Sequence, residues 1–364
     1  MITKLDSTQM AAPSINPQMV ILARQSRGLT QAQLAERVGV RQGTISKIEA
    51  GLGAVSQQEL EALADALCYP PHFFTATRSI DGPGVTELYH RKRQKASATI
   101  LHKVYAIAAI HRMNVETLLR SWDDTEMDFP SFPIDDFDAN PRKIARTVRA
   151  MCQLPPGPIS SMTKAIERAG GIIIDCDFET RHIDGFSRRR ADLPPLFFMN
   201  RQLAPDRWRW TLAHELGHVV MHWLSDPDKD MEREADSFAG EFLMPAAEIK
   251  PQLVNLSFHK LAGLKRYWKV SMQATLMQAW ELQVITDRQR RYMFMQLSKA
   301  GYRLREPEQL DPPREPAELL PAIIDFHRKT LGYSDDDLGY ALAISKDDLY
   351  QWYLPQGPRL RLVN

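Results

Sequence analysis

Cysteine is scarce in this sequence. The three cysteines among 364 residues, Cys68, Cys152 and Cys176, are scattered without the spacing of a metal site. An odd and sparse set argues against a secreted protein held together by disulfides, and it suits a reducing compartment. We therefore expect a cytoplasmic protein in which the cysteines are small packing residues.

Long apolar runs and an excess of charge are also missing. No apolar run approaches the length of a membrane span, and the first residues lack the pattern of a signal peptide. The 46 basic and 45 acidic residues give a net charge of +1, so no overall field attracts nucleic acid. We expect no membrane contact, and any DNA contact must come from a local patch.

The sequence does contain one H-E-x-x-H motif, formed by His214, Glu215 and His218. On a helix, residues i and i+4 lie on the same face, so both imidazoles can reach one metal ion. Glu215 directly follows His214, so its carboxylate can reach a water molecule on that metal and act as a general base. The flanking residues are apolar, which indicates a buried helix, and buried polar groups need partners. These features predict a hydrolase site with Zn²⁺.

A third zinc ligand is expected on a second helix, which starts near Met231. Glu234 is the favoured ligand because it stands at the edge of the buried stripe of that helix. Glu232 is the alternative, although a capping or solvated role suits it better. His222 is a weaker candidate, since a third ligand along one straight helix reaches past the metal.

The residues around this motif resemble a known family. A-H-E-L-G-H-V-V-M-H, followed by E-x-E-A-D-x-F-A-x-x-F-L-M-P, is similar to the ImmA/IrrE metallopeptidases over roughly residues 140–250. The resemblance implies a zinc-dependent, gluzincin-like peptidase. Members of the family act in bacterial stress or mobile-element regulation, some by cleaving a repressor protein.

A second motif lies near the N-terminus. Thr30 and Gln33 have the spacing of a capping box, and Gly39 can make a sharp turn between two short helices. The run L-T-Q-A-Q-L-A-E-R-V-G-V-R-Q-G-T-I-S-K-I-E-A-G resembles the Cro/repressor-type (XRE) helix-turn-helix family. The resemblance implies that the second short helix enters the major groove of double-stranded DNA.

The expected DNA contacts follow from side-chain chemistry on the exposed face. Glutamine suits adenine edges, arginine and lysine suit guanine or phosphate, and a helix N-terminus suits phosphate. The candidates are Gln31, Arg41, Gln42, Thr44 and Lys47. A homodimer is plausible because such domains bind paired half-sites. The alternative is a domain of this fold that serves only as a protein-binding module.

We predict a mainly α fold with a small β-sheet, in the α+β class. The predicted segments are a disordered N-terminus (1–16), a helix-turn-helix DNA-binding domain (17–75), a linker with a long bridging helix (76–139), a zinc metallopeptidase domain (140–250), a helical extension (251–303) and a small helical C-terminal domain (304–364).

Two functions fit these patterns. The first is a DNA-binding regulator with zinc-dependent endopeptidase activity, which cleaves a repressor or another partner protein in a stress or mobile-element response. The alternative is a transcriptional regulator or antitoxin-like factor whose peptidase fold acts as a sensor or scaffold. Glu215 favours the first, because a purely structural zinc needs no base beside it.

Overall fold

The computed structural model describes residues 14–77, 97–122, 129–223 and 230–354. Their contacts separate them into two compact units. The first contains residues 14–77, 97–121 and 324–354, and the second contains the described residues from 122 to 323. Most of the predicted disordered N-terminus and parts of the predicted linker lie outside the described residues.

Five helices begin the first unit. They are α1 (Pro17–Ser26), α2 (Gln31–Val38), α3 (Gln42–Glu49), α4 (Gln57–Leu67) and α5 (Pro71–Phe74). The hydroxyl of Thr30 accepts from the backbone N–H of Gln33, and the Gln33 side chain accepts from the backbone N–H of Thr30, which confirms the capping box. Gly39 ends α2 with φ of +75°, a conformation that glycine adopts without steric cost. The predicted helical fold of this segment is confirmed.

The longest described helix of the first unit is α6 (Ala98–Leu119), with 22 residues. It begins at Ser97, whose hydroxyl accepts from the backbone N–H of Ile100, and it packs against α1. Neither α6 nor any other helix in the described ranges is long and apolar enough to cross a membrane.

Three helices near the C-terminus follow: α15 (Leu319–Lys329), α16 (Asp335–Leu342) and α17 (Lys346–Trp352). The guanidinium of Arg27 donates to both carboxylate oxygens of Asp348, at 2.8 and 2.6 Å. The hydroxyl of Tyr353 lies 2.6 Å from Nδ1 of His111 and accepts from the side-chain amide of Asn114 at 3.0 Å. These contacts tie α17 and the residue after it to α1 and α6, and the C-terminal residues from 324 belong to the first unit.

This grouping differs from the predicted boundaries, which gave residues 304–364 a domain of their own. Arg27 and Asp348 are 321 positions apart in the chain, so no local pattern indicates that they meet. The difference therefore comes from long-range packing. That each predicted segment folds independently stays a prediction.

The second unit contains a three-stranded sheet. Its strands are β1 (Ile172–Cys176), β2 (Gly185–Arg190) and β3 (Leu193–Asn200), in the spatial order β1-β3-β2. β3 pairs in parallel with β1, where Phe197 is opposite Ile173, and antiparallel with β2, where Phe198 is opposite Phe186. The central strand is buried along most of its length, as expected for a strand covered on both faces. With the helices, this sheet confirms the predicted α+β class.

Helices surround the sheet and carry the candidate site. They are α7 (Pro141–Met151), α8 (Met162–Arg168), α9 (Pro205–Met221), α10 (Met231–Leu243), α11 (Ala246–Ile249), α12 (Phe258–Trp268), α13 (Met272–Glu281) and α14 (Asp287–Lys299), with 3-10 turns at Ile134–Phe137, Lys250–Leu253 and Glu308–Leu310. α9 packs on β2, β3 and α10, and α10 also packs on α7. Gly217 allows the close contact of α9 with α10, because a Cβ there would lie 3.2 Å from the Phe238 ring.

A buried cation holds the first turn of α9 in place. The Lys265 side chain is fully buried and pairs with Asp206, with Glu306 at 3.0 Å and with Asp311 at 3.1 Å. Glu306 also accepts from the backbone N–H of Met272, at the start of α13. Because a buried charge requires close partners, this cluster fixes α9 relative to α12 and α13.

Candidate metal centre and helix-turn-helix face

Three side chains converge where α9 meets α10. The Nε2 atoms of His214 and His218 lie 3.1 Å apart on one face of α9. Glu232, in the first turn of α10, places its two carboxylate oxygens 3.4 Å from Nε2 of His218 and 3.9 Å from Nε2 of His214. One ligand atom from each residue lies within 4.8 Å of the others. Two imidazole nitrogens and one carboxylate oxygen form the donor set of a catalytic zinc site.

The third residue of this group is Glu232, the alternative that the sequence left open. Glu234, which the sequence favoured, does not join this group, and its carboxylate instead accepts from Nε2 of His222 at 2.9 Å. Glu232 and Glu234 are about 200° apart around α10, so only one of them can face the two histidines. Both lie in the first turn of α10, and it is Glu232 that is on the side of the histidine pair. Which of the two glutamates holds a metal stays a prediction, and the geometry of the group favours Glu232.

His222 lies between Glu234 and His218 and orients the His218 imidazole. Burial, together with the neighbouring histidines, lowers the pKa of His222 to about 3, so its imidazole is neutral. The carboxylate of Glu234 can only accept, which places the His222 proton on Nε2. Nδ1 of His222 then accepts from Nδ1 of His218 across 3.0 Å. This leaves the lone pair of His218 on Nε2, directed into the group.

Asp236 orients the His214 imidazole in the same way, and it was not among the predicted site residues. Its carboxylate accepts from Nδ1 of His214 at 2.9 Å, so the His214 lone pair is also on Nε2. Asp236 is four residues after Glu232 and therefore shares its helix face. That spacing was a signal in the sequence, and carboxylates behind metal-binding histidines are common.

Asp236→Asn is expected to weaken metal binding by about 10- to 100-fold, because the amide orients the imidazole less well and does not raise its basicity. A competition titration with a chromophoric chelator measures the affinity. Asp230→Asn is the matched control, since Asp230 is exposed just before the same helix and pairs, among the described residues, with Arg233 rather than with a histidine. Equal affinities in the two variants would contradict the positioning role of Asp236.

Glu215 is buried beside the group, with 1% of its surface exposed. Its Oε2 accepts from the hydroxyl of Ser187, on β2, at 2.8 Å. The sheet therefore orients a carboxylate next to the two histidines. Ser187 was not a predicted site residue, although it lies in a segment that carries the family resemblance.

The charges around His214 fit a bound cation. Burial lowers the pKa of His214, but the hydrogen bond to Asp236 and the charges of Asp236, Glu215 and Glu232 outweigh burial and raise the pKa to about 9. Positive charge is thus favoured at this point. Two imidazole lone pairs and a carboxylate that face each other suit a divalent metal, which would replace the proton as the balancing charge.

The predicted DNA contacts lie together on the helix-turn-helix segment. Arg41, just before α3, and Gln42 and Lys47, on α3, are exposed. Thr44, on the same helix, is half-buried. Gln31, at the start of α2, is held on both sides: its carbonyl oxygen accepts from the Gln42 amide at 2.7 Å. Its amide donates to a buried carboxylate on α3, that of Glu49, at 2.7 Å. These two hydrogen bonds connect the start of α2 to both ends of α3.

Comparison with known families agrees with both motifs. Residues 20–74 match the helix-turn-helix family model, and residues 166–279 match the model of the IrrE N-terminal-like domain, which belongs to a peptidase family. The second match contains α9 and α10 and thus all the residues of the candidate metal centre. No curated protein sequence matches the chain. The chain therefore joins a helix-turn-helix domain to an IrrE-like peptidase-family domain, as the sequence predicted.

Proposed function

We propose that this protein, which joins these two domains, is a DNA-binding regulator with zinc-dependent endopeptidase activity. One observation carries the proposal: His214, His218 and Glu232 converge beside the buried carboxylate of Glu215, in a segment that matches a peptidase family. When bound, zinc would polarise the scissile carbonyl and acidify water. His214, His218 and Glu232 are the residues that would hold it.

The remaining chemistry belongs to the protein's own groups. Glu215 accepts a proton from the attacking water and delivers it to the amine that leaves when the peptide bond breaks. The hydroxyl of Ser187 holds the Glu215 carboxylate in one orientation through Oε2. Asp236 and His222 keep the two metal-binding imidazoles in the required tautomer. Burial keeps bulk water away from Glu215, which strengthens its interactions.

We further propose that the substrate is a repressor or another partner protein, cut in the cytoplasm during a stress or mobile-element response. The helix-turn-helix match supports action at DNA, because a general degradative protease gains nothing from a DNA-binding domain. A homodimer would match paired half-sites on DNA.

Metal removal tests the enzymatic part. The full chain is stripped with a chelator, its metal content is measured by mass spectrometry, and it is incubated with candidate repressors encoded nearby, with and without DNA. We expect cleavage to vanish with the metal and to return with one equivalent of Zn²⁺. Full metal content with no cleavage in any condition would instead support the regulator whose peptidase fold acts as a sensor or scaffold.

Replacing both Arg41 and Lys47 by alanine tests the DNA-binding part. We expect affinity for a DNA duplex to fall by about tenfold or more, and the slope of log affinity against log salt to fall by about two, since two phosphate or base contacts are lost. Anisotropy titrations over a salt series measure both. Lys329→Ala is the control, because Lys329 is an exposed lysine at the C-terminal end of α15. Equal DNA affinity of the double variant and this control would refute the assignment.

A further inference from the structure

A long groove lies in the second unit beside the candidate metal centre. It consists of two cavities of about 570 and 550 Å³, which share Met277, Phe294 and Arg303 as lining residues. Its walls come from α9, α13, α14 and the segment that follows α14. Each part has the volume of a typical ligand site.

One end of the groove adjoins the metal centre. Trp210 lines it and lies four residues before His214, so the two side chains are neighbours on one face of α9. Asp236, which orients His214, lines the same end. This end of the groove therefore lies beside His214, whose neighbours Trp210 and Asp236 line it.

The groove wall exposes apolar side chains. Leu304 is 94% exposed and Met295 is 57% exposed, beside the partly exposed Met277 and Phe294. Such a cluster is unusual on a surface with no partner, and methionines adapt to different apolar side chains. The wall therefore suits a large apolar residue of a bound peptide.

The groove is also polarised by charge. At the end near α9 the lining carboxylates have partners within the protein: Asp184 pairs with Arg207, Glu281 with Arg142, Asp206 and Glu306 with Lys265, and Asp236 with His214. At the α14 end, Arg291 and Arg303 are exposed, and among the described residues neither forms an ion pair with a carboxylate. Two such guanidinium groups are suited to carboxylates of a partner.

We propose that this groove docks the protein substrate through a segment in which a large apolar side chain is flanked by Asp or Glu. The inference rests on the proposed peptidase function and names the recognised sequence class. Duplex DNA is the less favoured occupant, because the exposed apolar wall offers no contact to a uniformly charged backbone.

A peptide-binding experiment tests this with cleavage switched off. The full chain with Glu215→Gln is titrated into fluorescein-labelled Glu-Glu-Gly-Phe-Gly-Glu-Glu, and anisotropy is read. Two further peptides replace all Glu by Lys, or Phe by Ser. We expect the Glu/Phe peptide to bind at least about tenfold more tightly than either control peptide. The Lys peptide loses the charge match, and the Ser peptide loses the apolar contact.

Charge reversal then locates the site. Arg291→Glu with Arg303→Glu is expected to invert the preference, so that the Lys peptide binds more tightly, whereas Arg288→Glu, on α14 but outside the groove lining, leaves the preference unchanged. An unchanged preference in the double variant would overturn the proposal. So would loss of duplex-DNA affinity in the double variant without any change in peptide affinity, which would assign the arginines to DNA.

The peptidase function and the docking role of the groove can be refuted separately. Tight, charge-dependent peptide binding without cleavage by the wild type would refute the peptidase and leave the groove as a docking site. Cleavage by the wild type with no dependence on Arg291 and Arg303, in binding or in rate, would refute the groove and leave the peptidase.

Discussion

Replacing Glu215 by glutamine is expected to lower the rate of substrate cleavage by about a hundredfold or more, with metal content unchanged. Glutamine keeps the size of the side chain and can still accept from Ser187, but it cannot take a proton from water. Single-turnover cleavage of a substrate protein and metal analysis of the same sample measure the two properties together.

Ser187→Ala is the companion to this variant, because it leaves the Glu215 carboxylate in place and removes only the hydroxyl that orients it. We expect a smaller loss of rate, of about tenfold, with metal retained. A Glu215→Gln protein that cleaves as fast as the wild type would eliminate this residue as the base.

Glu232→Gln is expected to reduce zinc affinity by more than about a hundredfold, since it replaces the one carboxylate among the three donors by a neutral amide. Glu234→Gln should retain zinc with at most about a tenfold loss, because that side chain bonds to His222 and lies outside the group. The two substitutions are chemically identical and two residues apart. Chelator competition on both proteins therefore compares the two positions directly.

The opposite result, with zinc lost from Glu234→Gln and retained by Glu232→Gln, would restore the ligand set that the sequence favoured. Circular dichroism of both variants without metal shows whether a fold defect contributes. A loss of helical signal in one variant alone would require the conservative Glu→Asp exchange at that position, and metal retention would then be compared again.

Sequence spacing was sufficient for the parts of the site that lie on one helix. H-E-x-x-H predicts the shared face of His214 and His218 because the helical repeat alone determines it. The capping box at Thr30 and the turn at Gly39 were equally predictable, since both depend on neighbouring residues. These features come from local backbone geometry.

Features that depend on how two elements approach each other could not be predicted. The choice between Glu232 and Glu234 depends on the start of α10 and on its contact with α9, whereas the apolar stripe, which favoured Glu234, depends on α10 alone. The contact of Ser187 with Glu215 requires the position of β2 against α9. Tertiary packing determines both, and no periodicity along the chain records it.

The pairing of Arg27 with Asp348 has a consequence for how the protein is made. The ribosome releases α1 to α6 first, then the whole second unit, and only afterwards the helix that carries Asp348. Until then Arg27 and the buried His111 lack the contacts that Asp348 and Tyr353 provide. The first unit, which contains the helix-turn-helix domain, is thus completed only after the second unit has been synthesised, and a prematurely terminated chain carries an incomplete first unit.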